Sequence, residues 1–127
     1  MDLKNIDHVA ITVSDLDRSV TWYRDVLGLE RRYEDAWGGD PPYMMCAGDS
    51  CVALFPADGE LRNAPPAAES IAMRHFSFRT DRKGFDQARR ELVERGLAPK
   101  FADHGISHSV YVGDPDGHRI EITTYEI

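Results

Sequence analysis

Ile6-Asp7-His8-Val9-Ala10-Ile11-Thr12-Val13-Ser14-Asp15-Leu16 is the stretch on which the fold turns. Residues 6–13 alternate and are rich in β-branched types, so strand periodicity puts Ile6, His8, Ala10 and Thr12 on one face and Asp7, Val9, Ile11 and Val13 on the other. Ser14 or Asp15 then caps a helix with Leu16, Val20, Tyr23, Val26 and Leu27 at helical spacing, stopped by Gly28. Three short strands follow, at 29–34, 43–47 and 51–55, separated by a Gly/Pro-rich loop around Trp37 and by Gly48-Asp49-Ser50. The unit reads βαβββ.

Downstream, residues 57–70 combine turn formers and small residues without periodicity and read as a linker. The order then recurs: a strand at 71–80, a helix at 81–95 closed by Gly96, and strands near 97–102, 108–113 and 118–125. The expected architecture is α+β: two βαβββ modules, about 4–56 and 71–126, within a single domain spanning 1–127. Landmarks support a duplication. His8 and His75 fall in the middle of the opening strands, each ahead of an Asp that starts a helix, and Leu27-Gly28-Leu29 has its counterpart in Arg95-Gly96-Leu97. Glu121 lies 46 residues after His75, and the same interval from His8 reaches Leu54.

Composition narrows the function classes. With 127 residues and 42% hydrophobic content, the chain suits one soluble domain with a single core. The net charge of −7, spread along the chain, argues against a nucleic-acid surface. No apolar run is long enough for a membrane helix, and Met1-Asp2-Leu3-Lys4-Asn5 has no signal-like start, so a cytoplasmic location is expected. Cys46 and Cys51 stand five positions apart without further cysteines, and buried reduced thiols are expected in preference to a disulfide.

Taken one at a time, His8, His75 and Glu121 have ordinary explanations as core or surface residues. Taken together on matched strands, they suggest a centre in which two imidazoles and one carboxylate occupy one face of a divalent ion and leave other positions open. Ile120 and Ile122 form an apolar face, so Glu121 points the opposite way.

These segments resemble the vicinal oxygen chelate superfamily, which includes glyoxalase I, extradiol ring-cleaving dioxygenases, fosfomycin-resistance enzymes, methylmalonyl-CoA epimerase and bleomycin-binding proteins. The similar stretches are the opening one, Trp22-Tyr23-Arg24-Asp25-Val26-Leu27-Gly28-Leu29, and Tyr111-Val112-Gly113-Asp114-Pro115-Asp116-Gly117-His118-Arg119-Ile120-Glu121. The resemblance implies paired modules whose mixed sheets curl into a cup, commonly in a homodimer. It implies one divalent metal on His8, His75 and Glu121, with Fe(II) or Mn(II) favoured over Zn, Ni or Co. Glyoxalase I has a fourth ligand, a carboxylate, at the position matched to Leu54; an apolar residue there favours an open three-ligand site and makes Leu54 a substrate contact.

The C-terminal stretch is closest to the extradiol pattern, running through His104, Val110-Tyr111, Asp114-Pro115-Asp116-Gly117 and Glu121, with Ala102 as its one mismatch. That similarity implies catalytic roles for His104 and Tyr111 beside a metal-bound catecholate. The larger extradiol enzymes also carry a catalytic histidine before the second ligand, and between Asp15 and His75 this chain has none. Strand parity with Tyr111 selects Ser109 over His108 as a substrate contact. Arg79 shares the His75 face, and Trp37 is placed to cap a small aromatic ligand.

The expected function is a metal-dependent enzyme that binds a small substrate through vicinal oxygens, most like a ring-cleaving dioxygenase. One alternative is a lactoylglutathione-lyase-like isomerase, an epimerase or a thiol transferase, for which Val9 replaces the threonine of the fosfomycin enzymes beside the first ligand. The other is a metal-free binding protein of the bleomycin-resistance type, which would not need three ligand residues.

Overall fold

Alternation of β-branched residues does produce an opening strand, β1 (His8–Val13), and Asp15 caps the helix after it, its side chain accepting from the Arg18 N–H at 3.0 Å. That helix, α1 (Leu16–Asp25), buries Val20 and Tyr23, and Gly28 takes φ 69° as the chain turns away, a conformation suited to glycine. Strands β2 (Glu30–Arg32), β3 (Tyr43–Ala47) and β4 (Ser50–Pro56) complete the first unit. The computed structural model describes residues 1–57 and 72–127, so the expected linker lies almost wholly outside the described residues. The second unit holds β5 (Phe76–Arg79), α2 (Arg82–Glu94), β6 (Lys100–Asp103), β7 (His108–Gly113) and β8 (Arg119–Thr124).

Both units follow one plan. The first is a four-stranded mixed sheet in the order β1-β4-β3-β2, the second β5-β8-β7-β6. In each, the opening strand pairs parallel with the last one and the remaining pairings are antiparallel. The chain divides into two compact units at Pro66 and Ala67. The α+β reading with duplicated βαβββ units is therefore observed. Among the described residues no helix is long and apolar enough to cross a membrane.

Each sheet buries one face with its helix. In the first unit Ile11, Val13, Met45, Val52 and Leu54 join Val20 and Tyr23 in the core, all under 10% exposed. In the second, Val110, Val112 and Ile120 join Phe85 and Leu92. The opposite faces hold the chemistry.

Two expectations are corrected here. Cys46 and Cys51 are not reduced thiols: they form a disulfide. They face each other across the β3–β4 hairpin, because Ala47 pairs with Ser50 and leaves only Gly48 and Asp49 for the turn. The histidines also stand at the strand entrances, not in the middle of them: His8 is the first residue of β1 and His75 immediately precedes β5.

Candidate metal centre

The centre is best built from β8. Register fixes its parity, with Phe76 opposite Ile120, Ser77 opposite Glu121 and Phe78 opposite Ile122, so Glu121 shares a face with Ser77 while the isoleucines turn to the core. Across β7, Tyr111 is opposite Glu121 and Ser109 opposite Thr123, which adds two hydroxyls to that face. Glu121 is 9% exposed and fully engaged. Its Oε1 accepts hydrogen bonds from the Ser109 hydroxyl and, at 3.2 Å, from the Tyr111 phenol, while its Oε2 lies 3.1 Å from His75 Nε2.

The charge state follows from those contacts. Burial works to raise the Glu121 pKa, but hydrogen bonds from Ser109 and Ser77, the His75 imidazole and the Tyr111 hydroxyl together outweigh it and hold the carboxyl below its ordinary range. Tyr111 is pushed the other way, by burial first and then by the Glu121 charge and hydrogen bond, and stays a neutral phenol. His104 Nε2 is 3.2 Å from the Tyr111 hydroxyl, so His104, Tyr111 and Glu121 form a continuous chain that runs from the exposed His104 inward. The His75 ring meets the Tyr111 ring edge-on at 5.4 Å, and the Arg119 guanidinium covers Tyr111 at 4.5 Å.

This pair suits a divalent ion. Two donors that bind one ion at about 2.1 Å each, at right angles, stand roughly 3 Å apart, close to the separation of His75 Nε2 and Glu121 Oε2. The remaining carboxylate oxygen is held by hydroxyl donors, the outer support usual for a ligating carboxylate. His8 belongs to the first unit. Its Nδ1 is 2.8 Å from Asp7 Oδ2, a carboxylate–imidazole contact of the kind that orients a ligating histidine through its other nitrogen. Among the described residues no group of three or more His, Cys, Asp or Glu side chains is assembled as a metal cluster.

The remaining expected contacts sort by unit and face. Ser109 is fully buried and bonds both Glu121 and Thr123. Arg79 lies on the Glu121 face of the second sheet, opposite Thr123, with its guanidinium 4.6 Å from the Tyr125 ring. Trp37 lines a cavity of about 590 Å³ in the first unit, together with His8, Ala53 and Phe55. Leu54 does not line it. It sits opposite Ile11, 0% exposed in the helix-facing core, so the expectation of a Leu54 substrate contact is overturned.

Register explains that error. His8 pairs with Cys51 and Ala10 with Ala53, whereas in the second unit Ser77, two residues after His75, pairs with Glu121. The structural counterpart of Glu121 is thus Ala53. Sequence reasoning passed over Ser77 and Asp7 as site residues. Ser77 was within reach of the two-residue period from His75, but Asp7 was not, because alternation assigns it to the face opposite His8.

Comparison with known proteins bears on the family and the fold. Residues 5–122 match the family model described as the Glyoxalase/Bleomycin resistance protein/Dioxygenase superfamily. The chain is 31% identical over 120 residues to glutathione transferase FosA of Serratia marcescens, covering 94% of this chain and 80% of that protein. It is 32% identical to biphenyl-2,3-diol 1,2-dioxygenase 3 of Rhodococcus globerulus, covering 91% of this chain and 60% of the relative. A glyoxalase/dioxygenase from Nostoc punctiforme superposes with a TM-score of 0.78 at 24% identity, over 99% of this chain and 94% of that one. The chain belongs to the glyoxalase, bleomycin resistance protein and dioxygenase superfamily.

Proposed function

We propose that the chain is a metal-dependent enzyme that takes a small substrate through two neighbouring oxygens, as a ring-cleaving dioxygenase takes a catechol. The observation that carries this reading is the hydrogen-bonded chain His104–Tyr111–Glu121, with His75 at the free carboxylate oxygen. His8, His75 and Glu121 would hold one divalent ion, and this mixed imidazole–carboxylate set favours Fe(II) or Mn(II). When bound, such an ion supplies Lewis acidity toward paired oxygens and an open position for dioxygen.

The protein's own groups do the rest. Ser109 and Tyr111 fix the Glu121 carboxylate so that Oε2 stays turned toward His75. Tyr111 is a neutral phenol that can give its proton to the reacting centre, and the exposed His104, 3.2 Å from its oxygen, can then replace that proton from solvent. Arg79 is the candidate substrate contact of this face, while the fully buried Ser109 serves by holding Glu121. A homodimer accompanies the reading, as it does in many relatives.

Metal analysis of protein purified without chelators and after reconstitution tests the first step, with His75→Ala as control. About one ion per wild-type chain and far less in the variant is expected. No retained ion in the reconstituted wild type would sink the enzyme reading and leave a metal-free binding protein. Oxygen uptake over a catechol panel then tests ring cleavage. A second reading, a thiol transferase, is favoured by the 31% identity to the FosA relative. Metal retention with no oxygen uptake on any catechol, and thiol consumption with an epoxide, would establish it instead.

A further inference from the structure

The cavity of the first unit has two walls of distinct origin. Its floor is the inner face of the sheet, where Met44, Ala53 and Phe55 stand in register beside the Cys46–Cys51 disulfide. Its other wall is the β2–β3 loop, which contributes Tyr33, Ala36, Trp37 and Pro42. Tyr33 takes φ 60°, a left-handed conformation uncommon for a bulky residue, and a backbone held that way marks a loop whose shape is determined by its surroundings. Tyr33 and Trp37 nonetheless remain 60% and 46% exposed, and Phe55 40%. Three large rings lining one recess without burying one another leave apolar surface for a guest.

Charge limits what the guest is. Asp7 and Asp49 stand at the lining, and among the described residues there the guanidinium of Arg32 is already committed, donating to the Gly48 carbonyl and lying 3.6 Å from Glu30. An anionic group entering this recess would meet the Asp49 carboxylate, an Asp7 carboxylate paired with His8, and a cation with partners of its own. His8 lies at the same lining, so a guest there sits next to one of the proposed metal ligands.

We infer that this recess holds an uncharged, apolar or aromatic substituent of the substrate and discriminates against anionic ones such as carboxylates and phosphonates. The inference rests on the proposed reading only in taking this face as the substrate side. Tyr33, Trp37 and Phe55 supply the contact surface, and Asp49, with Asp7, supplies the discrimination.

Equilibrium dialysis of the metal-free full chain against 4-ethylphenol and 4-ethylbenzoate tests it. These probes share the ethylphenyl group and differ in the charge of their polar end, and neither chelates through two neighbouring hydroxyls, so the outcome is independent of metal binding and of oxygen chemistry. The phenol should bind about tenfold more tightly than the benzoate. Asp49→Asn should narrow that gap, and Trp37→Ala, in an exposed loop, should weaken the phenol about tenfold. Ala53→Leu, which fills the floor, should weaken it likewise, with the Trp37 variant carrying the test if that protein does not fold. Equal or tighter binding of the benzoate, or phenol binding untouched by Trp37→Ala, would overturn the inference while leaving the metal reading intact.

Discussion

The two units share a backbone plan and differ on the inner faces of their sheets. At matched register the first presents Ala10, Ala53 and Met44 where the second presents Ser77, Glu121 and Tyr111. A histidine at the entrance of the opening strand is what both retain. The two units thus share the scaffold and an entrance histidine, while one inner face is polar and the other lines a largely apolar recess. The difference teaches that fold and site are specified separately. Core positions such as Leu54 and Ile120 keep the plan, and substitutions on the opposite face leave it undisturbed.

The sharpest way to break this comparison is to remove its polar half. Glu121→Gln keeps an acceptor for Ser109 but loses the charge, and His75→Ala removes the imidazole 3.1 Å away. Each should lower divalent-metal affinity by more than about 100-fold, measured by metal competition, with catechol-dependent oxygen uptake falling in parallel. Comparable loss from Ala53→Ser, in the other unit, would refute the asymmetry.

The converse is to give the first unit what it lacks. Ala53 is 1% exposed, two residues along the same face from the His8 register, so Ala53→Glu places a carboxylate where the second unit has Glu121. Without metal that buried charge should destabilise the protein by about 3 kcal/mol in chemical denaturation. Added Zn(II) or Ni(II) should restore more stability to the variant than to wild type. Equal restoration in both would mean that His8 and a carboxylate introduced at position 53 do not form a metal-binding pair.

Much of this is legible in the sequence, and each failure has a physical cause. The isoleucines around Glu121 and the parity that selects Ser109 over His108 follow from periodicity, which strands enforce locally, and Asp15, one of two candidate caps, follows from residue type at a helix start. Leu54 failed because counting assumed equal loops. The parallel pairing spans 43 residues in His8–Cys51 and 44 in Phe76–Ile120, and a one-residue difference turns a side chain to the other face of a sheet. The disulfide was missed for a different reason: the expectation of reduced thiols rested on cysteine number and expected location, whereas the two-residue turn sets Cys46 opposite Cys51. Register between strands depends on loop length, which composition specifies poorly.

A milder change sharpens the comparison inside the second unit. Ser109→Ala takes a donor from a largely buried carboxylate and should cost about 1–3 kcal/mol of stability by denaturation. It should also weaken metal retention, since Glu121 would lose one of the hydroxyls that orient it. Cys46, on the corresponding strand of the first unit, serves no carboxylate, so loss of metal affinity should not follow from Cys46→Ser.

The smallest effect should appear as a pH dependence confined to one unit's face. Hydrogen bonds from Ser109 and Ser77 prevail over burial and hold the Glu121 carboxyl below its usual pKa. A carboxyl with a depressed folded-state pKa binds fewer protons folded than unfolded, so its contribution is fully present above the unfolded value, about 4.3. That contribution is lost as pH falls through the folded value. Metal-free wild type should therefore lose stability relative to Glu121→Gln as the pH is lowered from 6 toward 3, read as a shrinking difference in melting temperature. Ala53→Ser should show no such window, because its face has no counterpart carboxylate at that register. A pH-independent difference between wild type and Glu121→Gln would mean that the hydroxyls orient Glu121 without stabilising its charge, and that the polarity of this face serves geometry alone.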